Sequence, residues 1–146
     1  MAIWKTTPDI DACNAMAPST LIEALGIRFT EFGDDWIRGT MPVDHRTHQP
    51  YGLLHGGASV ALAETLGSVA ATCCVEPGKE MAVGLEINAN HIRAVTSGTV
   101  TGTAKAVHIG RSTQVWEIRL EDDHGRLSCI SRITLAVVAP RALKSA

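Results

Sequence analysis

The chain has 146 residues, a formal net charge of −2, 45% hydrophobic residues and 19% charged residues. That is an ordinary soluble globular balance, and the length suits one domain, residues 1–146, with a sizeable core. Near-neutral charge gives no footprint for nucleic acid or for an anionic membrane surface. No basic stretch followed by an apolar run opens the chain, so no signal peptide is expected. The four cysteines, Cys13, Cys73, Cys74 and Cys129, form no CxxC pair. They read as reduced, buried, small apolar residues of a cytoplasmic protein.

Residues 1–8 read as a loose lead-in. Asp9 is placed to cap a short helix to Met16, which Pro18 ends. Ser19 is placed to cap a second turn through Leu25, with Glu23 near the capping-box position and Gly26 as the stop. Ile27–Phe32 and Trp36–Val43 read as a strand pair around Gly33-Asp34-Asp35. Asp44–Leu54 is a polar loop containing Pro50 and Gly52. A long helix is expected from near Gly56 to near Cys74, stopped by Pro77-Gly78. The period then changes to two: Val83, Leu85, Ile87 and Ala89 alternate with Gly84, Glu86, Asn88 and Asn90. Thr99–Val107 is a second strand after the Thr96-Ser97-Gly98 turn. Gln114, Trp116, Ile118 and Leu120 share one face of a third. Asp123-His124-Gly125 is a hairpin turn, and Leu127–Val138 is the last strand. Residues 140–146 read as a frayed tail.

The central helix is apolar on nearly every face, which marks a buried helix. Ala63, Gly67, Ala70 and Ala71 allow close approach of another backbone. Glu64 sits in the middle, and a carboxylate there is costly unless it is paired, hydrated or working. The segment has about the length of a bilayer span, but Ser59, Glu64, Thr65, Ser68 and Thr72 make it a poor one. A structural carboxylate, hydrogen-bonded inside the core, is the plainer alternative. Two strands precede the helix and four follow, so an antiparallel sheet curling around one long helix is expected, an α+β architecture. A sheet covers one side only. An all-round apolar helix wants a second cover, which argues for a homodimer.

The loop Q-P-x-G-x-x-H-G-G beginning at Gln49, the stretch LLHGGASVALAETLGSVA, then VGLEINANHIR and QVWEI, resemble the hotdog-fold acyl-CoA thioesterases. The likeness runs over nearly the whole chain. The branch is similar to that of 4-hydroxybenzoyl-CoA thioesterase and the phenylacetate-pathway enzymes, and most of all to the thioesterases acting on 1,4-dihydroxy-2-naphthoyl-CoA in menaquinone synthesis. The resemblance implies a hotdog fold and hydrolysis of aromatic and other acyl-CoA thioesters. It implies Glu64 as the catalytic carboxylate, a Gly56 backbone N–H on the thioester oxygen, and assistance from Gln49, His55 and Ser68. It implies no cofactor or metal, CoA being part of the substrate. It also implies a homodimer with shared active sites, assembled as a dimer of dimers into a homotetramer.

The chemistry stands beside the resemblance. A thioester oxygen gains negative charge as its carbonyl is attacked. A helix N-terminus offers free N–H groups and a positive dipole end, and Gly56-Gly57 permits close approach. The CoA thiolate leaves readily, so a strong general acid is not essential. Glu64 attacks directly, giving a mixed anhydride, or activates water; both routes stay open. Gln49 is placed to donate to the carbonyl or to position the water, and His55 to orient or polarise. Glu64 lies eight residues beyond Gly56, about 12 Å along a helix. One helix cannot bring both to one carbonyl, whereas two antiparallel helices across a two-fold axis can.

His91 and Arg93, then Gly110, Arg111 and Ser112, end strands at turns and are candidates for CoA phosphates, with ordinary surface charge as the alternative. Ser68 could equally bond back to its own helix. His45 and His48 lack further ligands at metal spacing and read as a solvated loop. No Ser or Cys sits in a nucleophile elbow. Two other functions compete. Hotdog dehydratases and hydratases resemble H-F-P-x-x-P-x-x-P-G in this loop, where the chain has His55-Gly56-Gly57. A non-catalytic acyl-CoA-binding protein has no need of Glu64, Gln49 and Gly56 together.

Overall fold

The protein is described by a computed structural model covering residues 1–140, so the expected tail lies outside the described residues apart from Pro140. In chain order the elements are α1 (Ile10–Ala15), α2 (Leu21–Ala24), β1 (Arg28–Phe32), β2 (Trp36–Pro42), α3 (Gly56–Cys73), β3 (Met81–His91), β4 (Thr99–Ile109), β5 (Thr113–Glu121) and β6 (Leu127–Val138). The six strands form one sheet in the order β1-β2-β4-β5-β6-β3. Every neighbouring pair is antiparallel. The expected α+β architecture is the one observed. β4, β5 and β6 follow one another as a meander through short turns. β3 instead lies beside β6 and forms one edge of the sheet.

Helix α3 packs against β2, β3, β4, β5 and β6. Its sheet side is Ala58, Leu62, Ala63, Leu66, Gly67, Ala70 and Ala71, all buried. Glycines let it sit close. A Cβ on Gly39 would lie 2.8 Å from Leu66 Cδ2, one on Gly102 would lie 2.7 Å from Leu66 Cδ1, and one on Gly67 would lie 2.7 Å from Ile133 Cγ2. Leu66 therefore fills a notch between two strands, and cutting it to Ala would cost about 2–5 kcal/mol. Trp116, Ile118 and Leu120 point inward from β5 and are fully buried, as their alternation predicts. The opposite side of α3, carrying Val60, Ala61, Glu64, Thr65, Ser68 and Val69, is only partly covered.

Three local expectations need correction. The lead-in is anchored. Lys5 and Thr6 donate to the Cys73 carbonyl at 2.9 and 3.0 Å, and Trp4 donates to Gly33 O at 2.8 Å while its ring stacks on Trp116. Ile3 and Trp4 thereby pack against the core. Thr20, rather than Ser19, caps α2 through the Ile22 N–H. Glu23 then reaches back to the Ser19 N–H at 2.7 Å, one residue before the cap. In β3 the pairing with β6 shifts between Gly84 and Glu86, so Leu85 is an extra residue in a β-bulge. The bulge reverses the alternation. Ile87 and Ala89 pack on the core, but Val83 and Leu85 are exposed on the other side.

Candidate active site

The loop before α3 is fixed by backbone bonds that the sequence pattern does not specify. His55 N–H donates to Thr47 O at 2.7 Å, Leu54 N–H to Val95 O at 2.8 Å and Gln49 N–H to Leu53 O at 2.8 Å. His55 is the helix cap, and its Nδ1 accepts from the Gly57 N–H at 2.8 Å. A neutral His55 ring in this arrangement carries its proton on Nε2. The His55 carbonyl accepts from Ala58 and Ser59. Those bonds use the donors of Gly57, Ala58 and Ser59, and among the described residues no acceptor meets the Gly56 N–H. An open donor at the positive end of an 18-residue helix suits a developing oxyanion.

Gly56 has a neighbour. A Cβ there would lie 2.8 Å from His91 Nε2, so only glycine lets the imidazole rest against the start of the helix. Gly56, His91, Arg93, Gln49 and Ser59 line one cleft of about 330 Å³. The Gln49 side-chain oxygen accepts from the Tyr51 N–H, which leaves its amide N–H₂ group as donor to the cleft. His55 lies elsewhere. It borders a neighbouring groove with Thr47, Ala61 and Leu25, on the less covered side of α3.

Glu64 is half-buried on that same side. Ser68 donates to its Oε1 at 3.3 Å, and no cation pairs with it among the described residues. The Ser68 hydroxyl thus bonds to Glu64 rather than back to the helix carbonyl. Thr65 and Thr72 do bond back, to Ala61 O at 2.7 Å and Ser68 O at 2.9 Å. A structural carboxylate in a core is enclosed by donors. Glu64 has one long hydrogen bond and stands open to the sheet edge. The thiols offer no rival nucleophile. Burial pushes Cys73 up to about 11 and Cys74 up to about 12, so both stay protonated at neutral pH.

The remaining candidates divide between two ends of the sheet. His91 pairs with Cys129 on β6, whereas Thr113, just after Gly110, Arg111 and Ser112, pairs with Ala136. Seven residues of strand separate these positions, about 23 Å. Gly110 and Arg111 border a second cleft of about 490 Å³ with Lys5, Lys79 and Glu76. One chain therefore does not gather Arg93 and Arg111 around one phosphate group. Nor does it join Gly56 to Glu64, which faces Gly84 of β3 while Gly56 faces His91. His48 Nε2 lies 3.0 Å from Thr96 O, and His45 is exposed beside Asp44. Sequence reasoning passed over Gly84 and Ser59. Gly84 had a signal, since a lone glycine inside a strand pattern marks a bulge or a close approach.

Comparison with known proteins converges on one group. The model of the thioesterase superfamily matches residues 51–129, more than half of the chain. The chain is 52% identical over 136 residues to the 1,4-dihydroxy-2-naphthoyl-CoA hydrolase of Escherichia coli, covering 93% of this chain and 99% of that one. It is also 52% identical over 136 residues to the proofreading thioesterase EntH of Cronobacter turicensis, covering 93% and 98%. Among solved structures, a thioesterase of Pseudomonas aeruginosa superposes with a TM-score of 0.94 at 52% identity, over 95% of this chain and all of that one.

Proposed function

Because this chain belongs to the thioesterase superfamily and is a thioester hydrolase, we propose that it hydrolyses aromatic acyl-CoA thioesters with Glu64 as the catalytic carboxylate. The observation that carries this is the state of Glu64. It is a half-buried acid on a core helix, and among the described residues it has no cation and one hydroxyl partner, at 3.3 Å. Such a group is costly to keep without a task.

The thioester carbonyl oxygen accepts from the Gly56 N–H of a second copy of the chain, assisted by the Gln49 amide. Glu64 attacks the carbonyl carbon, or takes a proton from a water that does. The tetrahedral oxyanion collapses, the C–S bond breaks, and CoA leaves as the thiolate. The direct route passes through a mixed anhydride that a water then cleaves. Ser68 holds one carboxylate oxygen in either case. His55 serves first as the helix cap that leaves the Gly56 donor free. The edge position of β3 supports a homodimer, since an antiparallel pair of β3 strands would set two clefts across a two-fold axis. A tetramer would join two such dimers. The name of the Escherichia coli relative supports a 1,4-dihydroxy-2-naphthoyl-CoA-like acyl group, and the resemblance of the loop and helix motifs supports a benzoyl-CoA-like one and a place in menaquinone synthesis. Free cysteines support a reducing, cytoplasmic setting.

Thiol release from benzoyl-CoA and 1,4-dihydroxy-2-naphthoyl-CoA, measured with EDTA present, tests the reading. We expect turnover by the wild-type protein and a loss of about a thousandfold or more in kcat for Glu64→Ala, with KM little changed. No thiol release from any acyl-CoA sinks the substrate class. Near-wild-type turnover of Glu64→Ala makes Glu64 structural.

A further inference from the structure

Gly84 lies inside β3, where local physics favours a side chain. Glycine weakens a strand, and its φ here is not in the left-handed region that calls for glycine. Its neighbourhood differs from those of the glycines under α3. A Cβ on Gly39, Gly67 or Gly102 would strike leucine or isoleucine side chains of the core. A Cβ on Gly84 would lie 2.9 Å from Glu64 Oε1 and 4.0 Å from Glu64 Cδ, and apart from its chain neighbours Val83 and Leu85 no other described residue comes within 4 Å. Gly84 is itself exposed in the single chain. The bulge at Leu85 turns the Leu85 side chain outward, leaving it 63% exposed.

We propose that Gly84 is a positioning residue for the reaction: its missing side chain, together with the bulge at Leu85, forms the notch that holds the Glu64 carboxylate at its working depth and keeps the approach to it open. This rests on the reading of Glu64 as the catalytic carboxylate. A methyl group at position 84 meets only the end of a flexible side chain. The fold yields there at little cost, and the displaced group is the carboxylate. Ordinary contact is near 3.4 Å or more, so Oε1 must retreat by about half an ångström, which strains its 3.3 Å bond to Ser68. Reaction geometry tolerates little of this, since misplacement by about 1 Å can cost about a hundredfold.

The test is Gly84→Ala, assayed as the intact protein for thiol release from benzoyl-CoA beside wild type and Glu64→Ala. We expect kcat to fall by about 10- to 100-fold, KM to stay within about twofold and the thermal midpoint to hold or rise, since Ala is the better strand residue. A crystal structure of the variant should find the Glu64 carboxylate moved away from position 84. A kcat within twofold of wild type, or a carboxylate still in its present place, overturns the notch while leaving Glu64 catalytic. A fall in kcat matched by a falling midpoint shows a structural glycine and overturns it equally. Full turnover by Glu64→Ala overturns both the notch and the reading beneath it. A second contrast uses Glu64→Asp, whose carboxylate is drawn back by one methylene. With enzyme in excess over substrate, adding Gly84→Ala to Glu64→Asp should cost under threefold. Additive losses overturn the steric account.

Discussion

The shared site can be tested by mixing two inactive proteins. Gly56 and Glu64 are eight residues apart on one helix, about 12 Å along its axis. A carbonyl needs its nucleophile and its oxyanion donor within about 3–3.5 Å. Their strand contacts agree: Glu64 faces Gly84, and Gly56 faces His91 seven residues further along β3. The outer margin of β3 is a sheet edge of 11 residues. If two copies pair antiparallel with the axis midway between Gly84 and His91, at Ile87 and Asn88, each Glu64 comes opposite the other copy's Gly56 and Gln49. Glu64→Ala and Gln49→Ala should each be nearly inactive alone. A mixed dimer would then hold one site with both lesions and one with neither. After random exchange half of the dimers are mixed, so about a quarter of wild-type site activity should return. Exchange is driven by partial unfolding or co-expression and verified by differential tagging before thiol release is assayed. Verified exchange with activity no higher than the separate variants refutes the shared site.

The same geometry puts Arg93 and Arg111 at opposite ends of one sheet, so they can converge only from two copies. Removing either should raise KM for CoA esters with little change in kcat, and the loss should be smaller for 3′-dephospho-CoA esters. An unchanged KM in both variants makes them ordinary surface charge. At the β5–β6 turn, burial opposes the charge of Asp122, but the Arg126 and His124 N–H groups and the Arg126 guanidinium hold its carboxyl down at about 2. A depressed carboxyl adds stability that is fully present above its ordinary value of 3.8 and is lost as pH falls through the folded value. Asp122→Asn should therefore lower the urea midpoint at pH 7, with the gap closing between about pH 4 and pH 2. A gap that is the same at both ends of that window contradicts the assignment.

The fold was legible wherever one physical signal dominated. Helix α3 followed from propensity and its stop. The inner face of β5 followed from strict alternation, and the turns at Gly98 and Gly125 followed from glycine and its neighbours. Both glycines do adopt positive φ, 83° and 71°. What escaped was set by one-residue or tertiary effects. A period-two count through β3 joined Val83 and Leu85 to Ile87 and Ala89, because a bulge changes parity without changing composition. The anchoring of Trp4 depends on Trp116, more than a hundred residues away. Strand order was equally hidden: adjacency in sequence predicts β3 beside β4, yet β3 pairs with β6 at the far margin.

The candidate site read more readily as chemistry than as assembly. Glu64 stood out because an acid in an apolar helix is expensive, and Gly56-Gly57 because a helix start needs room for a ligand. Neither argument locates the second half of the site. Distance along the helix carries further, because 1.5 Å per residue is fixed and the reach of a carbonyl is short. If Glu64 and Gly56 serve one carbonyl, it excludes a one-chain site before any partner is known. The sheet adds the direction. β3 runs from Gly84, beside the acid, to His91, beside the donor, so its free edge presents both halves in opposite senses. A two-fold axis is the symmetry that turns such an edge into two complete sites. A lesion at the exposed Asn88 that blocks pairing should therefore silence both sites while leaving each Glu64 and each Gly56 in place.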